Sequence, residues 1–289
     1  MKFTCNLGMR VLLEKGMQRK LLEDLKSENF FTWKEFADFC NVSIDCLYSW
    51  KNEKSLMPYN FFMNLNSKYY PFEIKDEFWA SKKNVNLPIY DEKLAEFVGI
   101  LLGDGNIFSG GIRVCGDSRY DREYLVNYVA PLIEDLFHVK PSFYLSKVEN
   151  CLYLIVSRVD LICFFKQMGL KPGKKIINKS TIPNWIFENE FFLKSCLRGI
   201  YDTDGSVYEL LPHWPGIFQI NLDNKNLILL EDSRRALFKL GFHVSKICNL
   251  HLDKPRTYIT RKEDVKRFYF EIGFNNPKHK YKLNQFVNS

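Results

Sequence analysis

The chain has 289 residues, of which 46% are hydrophobic and 26% charged, a composition typical of a globular protein. Its 41 basic and 34 acidic residues leave a formal charge of +7, which by itself is weak evidence for nucleic-acid binding. No apolar run approaches the roughly 18–20 residues of a membrane span, and the N-terminus lacks the apolar core of a signal peptide. The cysteines form no Cys-x-x-Cys pair that would indicate zinc. These features predict a cytoplasmic protein without a membrane partner.

Residues 1–70 have the pattern of a small helical domain. Thr32 and Ser43 can each cap a short helix, and apolar residues recur at helical spacing before and after them. Two short helices joined by a tight turn resemble a helix-turn-helix DNA-binding unit, whereas the alternative is a plain three-helix packing domain. In the DNA-binding interpretation, the second helix presents three residues to DNA: Ser43, Tyr48 and Lys51.

Residues 71–90, with a proline near each end, are predicted to be a linker. Beyond them the chain repeats itself in two halves, residues 91–184 and residues 185–289. The clearest repeat is an apolar run in which a glycine is followed, five residues later, by Asp-Gly. It reads LAEFVGILLGDG at Leu94–Gly105 and CLRGIYDTDG at Cys196–Gly205. This duplication predicts two halves built on one plan.

Each of these two runs is predicted to be a helix with a face of small residues. Gly99 and Gly103 lie four residues apart, and Gly199 and Thr203 repeat that spacing. Small residues on one face let two helix backbones approach closely, so the two helices are expected to pack together. Each helix is expected to end at its Asp-Gly pair, because glycine tolerates the left-handed backbone that closes many helices.

Asp104 and Asp204 stand at unfavourable positions in this arrangement. A carboxylate at a helix C-terminus faces the negative end of the helix dipole, and the two aspartates also repel each other if the helices pack. Two disfavoured carboxylates side by side indicate a divalent-cation site, for which oxygen ligands suit Mg²⁺. The alternative for either motif alone is an ordinary capping turn.

The segments after the two motifs also correspond. A hairpin with a turn at Gly110-Gly111, a helix, a second strand pair and a helix ending at Gly169 are predicted in the first half. The second half repeats these elements, with its second strand pair at Val244–Thr260. The sequences DLICFFKQMGL at 160–170 and DVKRFYFEIGF at 264–274 align with an offset of 104. The fold class is therefore α+β, in two pseudo-symmetric repeats.

The two motifs resemble the signature motifs of the LAGLIDADG homing endonucleases. Phe97–Gly105 and Leu197–Gly205 match the nine-residue pattern, and Leu102 stands where the family name has its earlier aspartate. The resemblance implies two α-β-β-α-β-β-α repeats that form a saddle-shaped antiparallel sheet, with the motif helices at their interface. It also implies a monomer that needs no protein partner.

The resemblance further implies site-specific, metal-dependent double-strand cleavage of a long asymmetric DNA target. Mg²⁺ is the expected cofactor, with Mn²⁺ substituting and Ca²⁺ binding without supporting cleavage. A catalytic lysine is expected after the helix that ends at Gly169 or Gly273, and this position is Lys175 in the first half. Its counterpart falls at His279 or Lys280, and Lys280 is the residue carried forward. The expected metal site comprises Asp104 and Asp204 with the residues that precede them, Gly103 and Thr203.

Such enzymes read DNA through polar residues on alternating strand positions, while the alternative for each residue is a solvated strand face. The residues predicted in this way are Arg113, Lys147, Arg158, Gln219, Asn221, Lys246, His251 and Arg261. Two acid-free basic runs, whose predicted DNA contacts are Lys174 and Lys278, fall at equivalent places in the two repeats. Their placement favours phosphate contact.

Other functions fit the same scaffold. Some relatives are inteins, but no flanking splicing domain is present, so a free-standing enzyme is expected, of the kind that is often encoded within an intron. A catalytically inactive DNA-binding regulator would have lost Asp104 or Asp204, and both are present. An intron RNA maturase remains the other alternative.

Overall fold

The structure is a computed structural model. It describes residues 10–11, 13–30, 32–59, 61–63, 65, 87–250 and 255–287. The chain forms two compact units, one within residues 1–84 and the other within residues 85–289. Among the described helices, none has the length and apolar composition that crossing a membrane requires.

The N-terminal unit contains three described helices and a minimal strand pair. Its elements are β1 (Arg10–Val11), α1 (Met17–Asn29), α2 (Trp33–Phe39), α3 (Ile44–Lys51) and β2 (Met57–Pro58). The antiparallel pairing of β1 with β2 departs from the all-helical domain predicted. The helical spacing predicted before Thr32 corresponds to α1, which begins at Met17. The predicted linker, residues 71–90, lies mostly outside the described residues.

Local capping explains why α2 and α3 begin where the sequence predicts. The Thr32 hydroxyl accepts from the Glu35 amide at 3.1 Å, and the Glu35 carboxylate accepts from the Thr32 amide at 2.9 Å. The Ser43 hydroxyl accepts from the Cys46 amide at 3.2 Å. These bonds satisfy amide groups that the first turn of a helix leaves unpaired. The helices then bury Phe36 and Leu47 in a core of their own.

The second unit begins with the first repeat. Its elements are α4 (Glu92–Gly103), β3 (Gly105–Phe108), β4 (Gly111–Asp117), α5 (Arg122–Tyr124), a π-helical turn (Leu125–Val129), α6 (Ala130–Phe137), β5 (Ser142–Ser146), β6 (Cys151–Val156), α7 (Val159–Gln167), α8 (Lys175–Asn178) and α9 (Asn184–Phe187). The strands form one antiparallel sheet in the order β3-β4-β6-β5. The π-helical turn ends two residues before Pro131, which has no amide hydrogen to donate to the preceding turn.

The second repeat follows the same order. Its elements are α10 (Glu190–Asp204), β7 (Gly205–Leu210), β8 (Trp214–Asp223), α11 (Leu227–Lys239), β9 (Arg256–Ile259), α12 (Lys262–Glu271) and α13 (Pro277–Val287). The three strands form an antiparallel sheet in the order β7-β8-β9. Helices and sheets of both repeats share one hydrophobic core. The predicted α+β fold class with two pseudo-symmetric repeats is confirmed.

The second sheet differs from the prediction at its last strand pair. Within the described part of 244–260, β9 is the one strand, accompanied by an isolated bridge between Cys248 and Arg256. The Ser245 hydroxyl accepts from the Tyr258 amide at 3.0 Å, while the Thr257 hydroxyl donates to the Ser245 carbonyl at 3.1 Å. These side-chain bonds occupy groups that a regular ladder would pair, so the segment stays irregular.

The glycines of the two Asp-Gly pairs serve a purpose other than the one predicted. Neither Gly105 nor Gly205 has a positive φ, and each begins a strand directly after its motif helix. A Cβ on Gly105 would lie 2.6 Å from a Leu101 methyl group, and one on Gly205 would lie 2.9 Å from the Tyr201 Cα. Glycine is therefore required because the chain folds back tightly on the last helical turn.

Candidate functional site

The two motif helices bring Asp104 and Asp204 to the same end of their interface. Asp104 is the first residue after α4, and Asp204 is the last residue of α10. The helix ends are in contact, because a Cβ on Gly103 would lie 2.8 Å from the Thr203 Cβ and 3.3 Å from the Asp204 Oδ2. Two carboxylates from different repeats thus meet at one place, as packing along the small-residue faces requires.

The surroundings of these two carboxylates disfavour their charged form. Burial and, after it, repulsion from Asp204 together raise the pKa of Asp104 to about 7. Burial likewise raises the pKa of Asp204 to about 6, opposed by the positive charge of Lys175 and by a hydrogen bond. That bond comes from the Asn224 amide group, which donates to the Asp204 Oδ2 at 2.7 Å. A bound cation would relieve both the burial cost and the repulsion.

Lys175 is held against the end of the first motif helix. Its Nζ donates to the carbonyl oxygens of Leu102 at 3.0 Å and Leu101 at 3.5 Å, and also to that of Gly103. These carbonyls have no partner within their own helix, and the helix dipole attracts a cation to them. Burial lowers the pKa of Lys175, while Asp204 and Asp104 raise it. The lysine thus combines a helix-capping role with a position beside the aspartates.

The second repeat brings a different lysine to the site from the one predicted. The positive charge of Lys278 lowers the pKa of both aspartates, and its Nζ lies 2.6 Å from the Asp121 Oδ1. Lys280 is exposed on α13, and no described hydrogen bond or ion pair joins it to Asp104 or Asp204. The aligned position, His279, is 4% exposed, and burial lowers its pKa to about 3. A neutral, buried imidazole is poorly suited to contact a phosphate.

An open cleft of about 310 Å³ lies beside Asp204. Its lining includes Gly103, Lys175, Asp204, Asp223 and Asn224. Residues from both repeats therefore face the same space.

The donor set fits a hard divalent cation held by few protein ligands. In the described part of the chain, no group of three or more His, Cys, Asp or Glu side chains is placed to hold a metal. The protein would thus supply Asp104 and Asp204, whereas the predicted contribution of Gly103 is opposed by the Lys175 ammonium group, which already binds its carbonyl oxygen. Mg²⁺ commonly binds through one or two carboxylates and completes its shell with water and substrate phosphate.

The residues predicted to contact DNA do not lie on a single row of strand positions. Arg113 is exposed on β4, and its guanidinium lies over the Tyr153 ring on the neighbouring strand. Gln219 and Asn221 lie on β8 but are buried, and both donate to the Tyr208 hydroxyl, at 3.0 and 2.7 Å. The alternation of residues along the strand correctly placed Gln219 and Asn221 on β8. It did not predict that their side chains are hydrogen-bonded to each other.

The other predicted DNA contacts lie in turns and at helix starts rather than on strands. Lys147 is exposed in the β5–β6 turn, and Lys246 is exposed in the irregular segment before β9. Arg158 and Arg261 each stand immediately before a helix, where Arg261 contacts Glu263 and His243. Lys174 is exposed directly before α8. His251 lies outside the described residues.

The predicted DNA contacts of the N-terminal unit differ in exposure and in the contacts that their side chains already make. Ser43 caps α3, and Lys51 lies over the Trp33 ring and 3.4 Å from a Glu23 carboxylate oxygen. Tyr48 is 39% exposed. All three side chains thus have structural contacts, because the Tyr48 ring also packs against the Trp33 ring, but Tyr48 remains on the exposed surface of α3.

Three residues near the aspartates were not predicted from the sequence. Asn224 binds Asp204, Asp121 binds Lys278, and Asn276 donates to the Asp121 Oδ1 at 3.0 Å. One sequence signal could have drawn attention to Asp121, because Asp121 and Asn226 precede corresponding helices in the two repeats. Strand and helix patterns show where such residues lie but not which side chain they reach.

Comparison with known proteins gives one family match. Residues 192–273, from the second motif helix through α12, match the model of a LAGLIDADG-like domain. This match, which covers part of the second repeat, confirms the resemblance to the LAGLIDADG family that the motifs indicate.

Individual proteins show weaker likeness. The chain is 24% identical over 208 residues to the replication factor C small subunit of Methanocaldococcus jannaschii; the match covers 68% of this chain and 10% of that protein. A structure of I-DmoI in complex with DNA and Ca is 19% identical, with a TM-score of 0.46, and covers 67% of this chain and 97% of that one. Full-length DUF199/WhiA from Thermatoga maritima is 18% identical, with a TM-score of 0.44 and coverages of 70% and 62%.

Proposed function

We propose that this protein is a site-specific, divalent-metal-dependent DNA endonuclease that cuts both strands of a long asymmetric target. The observation that carries the proposal is the meeting of two half-buried aspartates, one from each repeat, with a half-buried lysine beside them. Such a cluster destabilises the protein by itself, because like charges are held together away from water. It is explained if the site serves to hold a cation and a phosphate.

In this proposal Asp104 and Asp204 hold Mg²⁺ at the helix ends, with Mn²⁺ as a functional substitute and Ca²⁺ supporting binding alone. When bound, a divalent cation lowers the pKa of a water and stabilises charge on the attacking and leaving oxygens. The protein's own contribution is to fix the two carboxylates rigidly through close helix packing. Asn224 orients the Asp204 carboxylate through its 2.7 Å hydrogen bond.

Lys175 and Lys278 are the proposed basic residues, one for each scissile phosphate. Each carries a positive charge that acts on both aspartates and comes from the segment that follows the last helix of a repeat's αββα core. A fixed ammonium group can stabilise the negative charge that develops on a phosphate during cleavage. Lys278 takes the role assigned to Lys280 from the sequence because the charge of Lys278 lowers the pKa of both carboxylates.

DNA binding is assigned to the sheets and to the exposed basic side chains around them. Arg113, Lys147, Lys174, Lys246 and Arg261 are the exposed basic candidates within the described part of the second unit. Gln219 and Asn221 are proposed to exchange their bonds with Tyr208 for bonds to base edges. In the N-terminal unit, α3 is proposed to add a contact through Tyr48.

A monomer suffices for this function, because one chain supplies both aspartates and both lysines. The two repeats differ in sequence, which suits an asymmetric target rather than a palindrome. Mobility of an intron or another genetic element is the biological role proposed for such a cut. The regulator alternative is disfavoured because Asp104 and Asp204 are both present at the helix ends.

The test is cleavage of plasmids that carry DNA segments from either side of the coding sequence in its host genome. Purified protein and Mg²⁺ should linearise one such plasmid at a single site, and EDTA should prevent cutting. Asp204→Asn is the matched inactive protein, and Asp135→Asn, a change at an exposed residue far from the site, should cut normally. Sequence-specific binding without any cleavage in Mg²⁺ or Mn²⁺ would favour the regulator, and splicing of cognate RNA would favour the maturase.

A further inference from the structure

Two equivalent residues of the repeats make side-chain bonds that their position does not predict. Asp121 and Asn226 occupy the N-cap positions of α5 and α11, and Asp and Asn are preferred at such positions. Neither side chain makes a capping hydrogen bond to its own helix. Both residues are buried, with exposed fractions of 8% and 4%. Their side chains are therefore used for something other than starting a helix.

Asp121, in the first repeat, binds the basic segment of the second. Its Oδ1 accepts from the Asn276 amide group at 3.0 Å and from the Lys278 Nζ at 2.6 Å. Asn276 is itself fixed, because its backbone amide donates to the Asp202 Oδ1 at 2.9 Å. The lysine of the second repeat whose charge acts on Asp104 and Asp204 is thus held by a carboxylate of the first.

Asn226, in the second repeat, binds the basic segment of the first. Its amide group donates to the Ser180 carbonyl oxygen at 2.6 Å. The Ser180 amide in turn donates to the Lys175 carbonyl oxygen at 3.0 Å, so the bond reaches the residue that carries the ammonium group. Asp232 on α11 holds the adjoining residues, because its Oδ2 accepts from the Thr181 hydroxyl and from the Ile182 amide at 3.0 Å.

We propose that Asp121 and Asn226 are reciprocal positioning residues, each of which fixes the basic segment of the opposite repeat beside the two aspartates. The inference rests on the proposed nuclease function and deepens it by assigning one positioning residue to the cleavage of each DNA strand. The two positioning contacts differ chemically. The contact of Asp121 is an ion pair to a flexible lysine side chain, and that of Asn226 is a neutral hydrogen bond to the backbone. Loss of either contact should slow cleavage of one DNA strand and not of both.

The test uses the full chain, Mg²⁺ and a duplex containing the cleaved plasmid site, with each strand labelled separately. Lys278→Met and Lys175→Met first identify which strand depends on which lysine. Asp121→Asn is then expected to slow the Lys278-dependent strand about tenfold at saturating enzyme, a cost reasonable for a misplaced group. Asn226→Asp is expected to slow the Lys175-dependent strand similarly. Asp121→Glu, which keeps the charge, should recover part of the rate.

Matched controls separate positioning from general loss of structure. Asp135→Asn breaks an exposed ion pair to Lys93 of the same length, 2.6 Å, and Asn29→Asp removes a side-chain donor to a backbone carbonyl at 3.1 Å. Both controls should cut the two strands at normal rates. Should Asp121→Asn fail to fold at the assay temperature, Asn226→Asp decides by itself.

The possible outcomes distinguish this inference from the proposed function. If the wild-type protein cuts and each variant slows both strands equally, or accelerates cleavage, the inference is wrong and the function stands. If each variant slows the strand of its own repeat's lysine, the reciprocal arrangement is wrong. If the wild-type protein cuts no DNA, the proposed function and this inference fail together.

Discussion

Gly99 and Gly199 lie against each other across the interface of the two motif helices. A Cβ on Gly199 would lie 3.1 Å from the Gly99 carbonyl carbon and 2.8 Å from the Ile100 amide nitrogen, and it would overlap the Glu96 carbonyl oxygen. A Cβ on Gly99 would overlap the Cys196 carbonyl oxygen. These are backbone atoms, which cannot move aside without separating the helices. The position of both aspartates therefore depends on the absence of two methyl groups.

Gly199→Ala should destabilise the second unit and displace the aspartates. Overpacking against backbone costs about 3 kcal/mol or more at such a site. For a domain of this size the thermal midpoint should fall by roughly 6–12 °C. Differential scanning calorimetry measures the change. Gly216→Ala is the control, since its φ of +77° is strained for alanine but no atom lies within 4 Å; an equal loss in both variants would contradict the packing argument.

Asp104→Asn should abolish cleavage and stabilise the metal-free protein at high pH. The folded pKa of Asp104, about 7, is above its ordinary value of 3.8, so the folded state binds more protons in this interval. The free energy of unfolding therefore falls as pH rises from about 4 to about 7 in the wild type, and this contribution is absent from the variant. The variant's advantage should be greatest at pH 8 and vanish near pH 4 in thermal melts.

If Asp104 is a metal ligand, Mg²⁺ should reverse the stability advantage that Asp104→Asn has over the wild type at high pH. A cation that binds the folded state alone raises the thermal midpoint by mass action, and deprotonated carboxylates bind it best. The wild-type midpoint should rise with Mg²⁺ concentration at pH 8 and respond less at pH 5, whereas Asp104→Asn should not respond. A response that is equal in both proteins would place the cation elsewhere.

Lys175→Met should reduce the rate of cleavage rather than the affinity for DNA. We expect the single-turnover rate at saturating enzyme to fall by at least about tenfold, equivalent to 1.4 kcal/mol, with little change in Kd. Lys171→Met, an exposed lysine in the same loop, is the control and should cut at the normal rate. If Lys175→Met cuts normally once saturated, this lysine serves only to cap α4 or to anchor a phosphate.

A comparison of Lys278→Met with Lys280→Met should show which lysine of the second repeat acts in cleavage. We expect Lys278, whereas the sequence alone predicted Lys280. Lys278→Met is expected to slow one strand by about tenfold, so that nicked circular plasmid accumulates. Lys280→Met is expected to change at most the salt dependence of binding, because its side chain is exposed and no described hydrogen bond or ion pair joins it to either aspartate. Agarose-gel resolution of nicked and linear plasmid gives the result. Nicking by Lys280→Met alone would restore the original assignment.

Removal of residues 1–84 should shorten the DNA footprint while leaving metal-dependent cutting detectable at high enzyme concentration. The reason is that this unit has its own core and is proposed to contact DNA beyond the sheets. Tyr48→Ala in the full chain should weaken DNA binding while the N-terminal unit remains present. An unchanged footprint after both changes would leave the N-terminal unit with a packing role only.

Much of this organisation could be read from residue order. The Asp-Gly repeat located the two motif helices, and the Thr32 and Ser43 caps located the starts of α2 and α3. The small-residue spacing also placed Asp104 and Asp204 together. These features are local, or depend on a period along a single helix, so the chain carries them explicitly.

The tertiary structure decided which side chains meet across the repeats. Offset alignment pointed to His279 or Lys280, yet Lys278 is the residue whose charge reaches the aspartates, because α13 buries His279 in the core and exposes Lys280. The pairing of Asp121 with Lys278 joins residues 157 positions apart. Periodicity records which face of an element is apolar, but a contact between elements depends on how their faces are rotated and packed. That rotation is set by the whole core, so sequence order alone does not contain it.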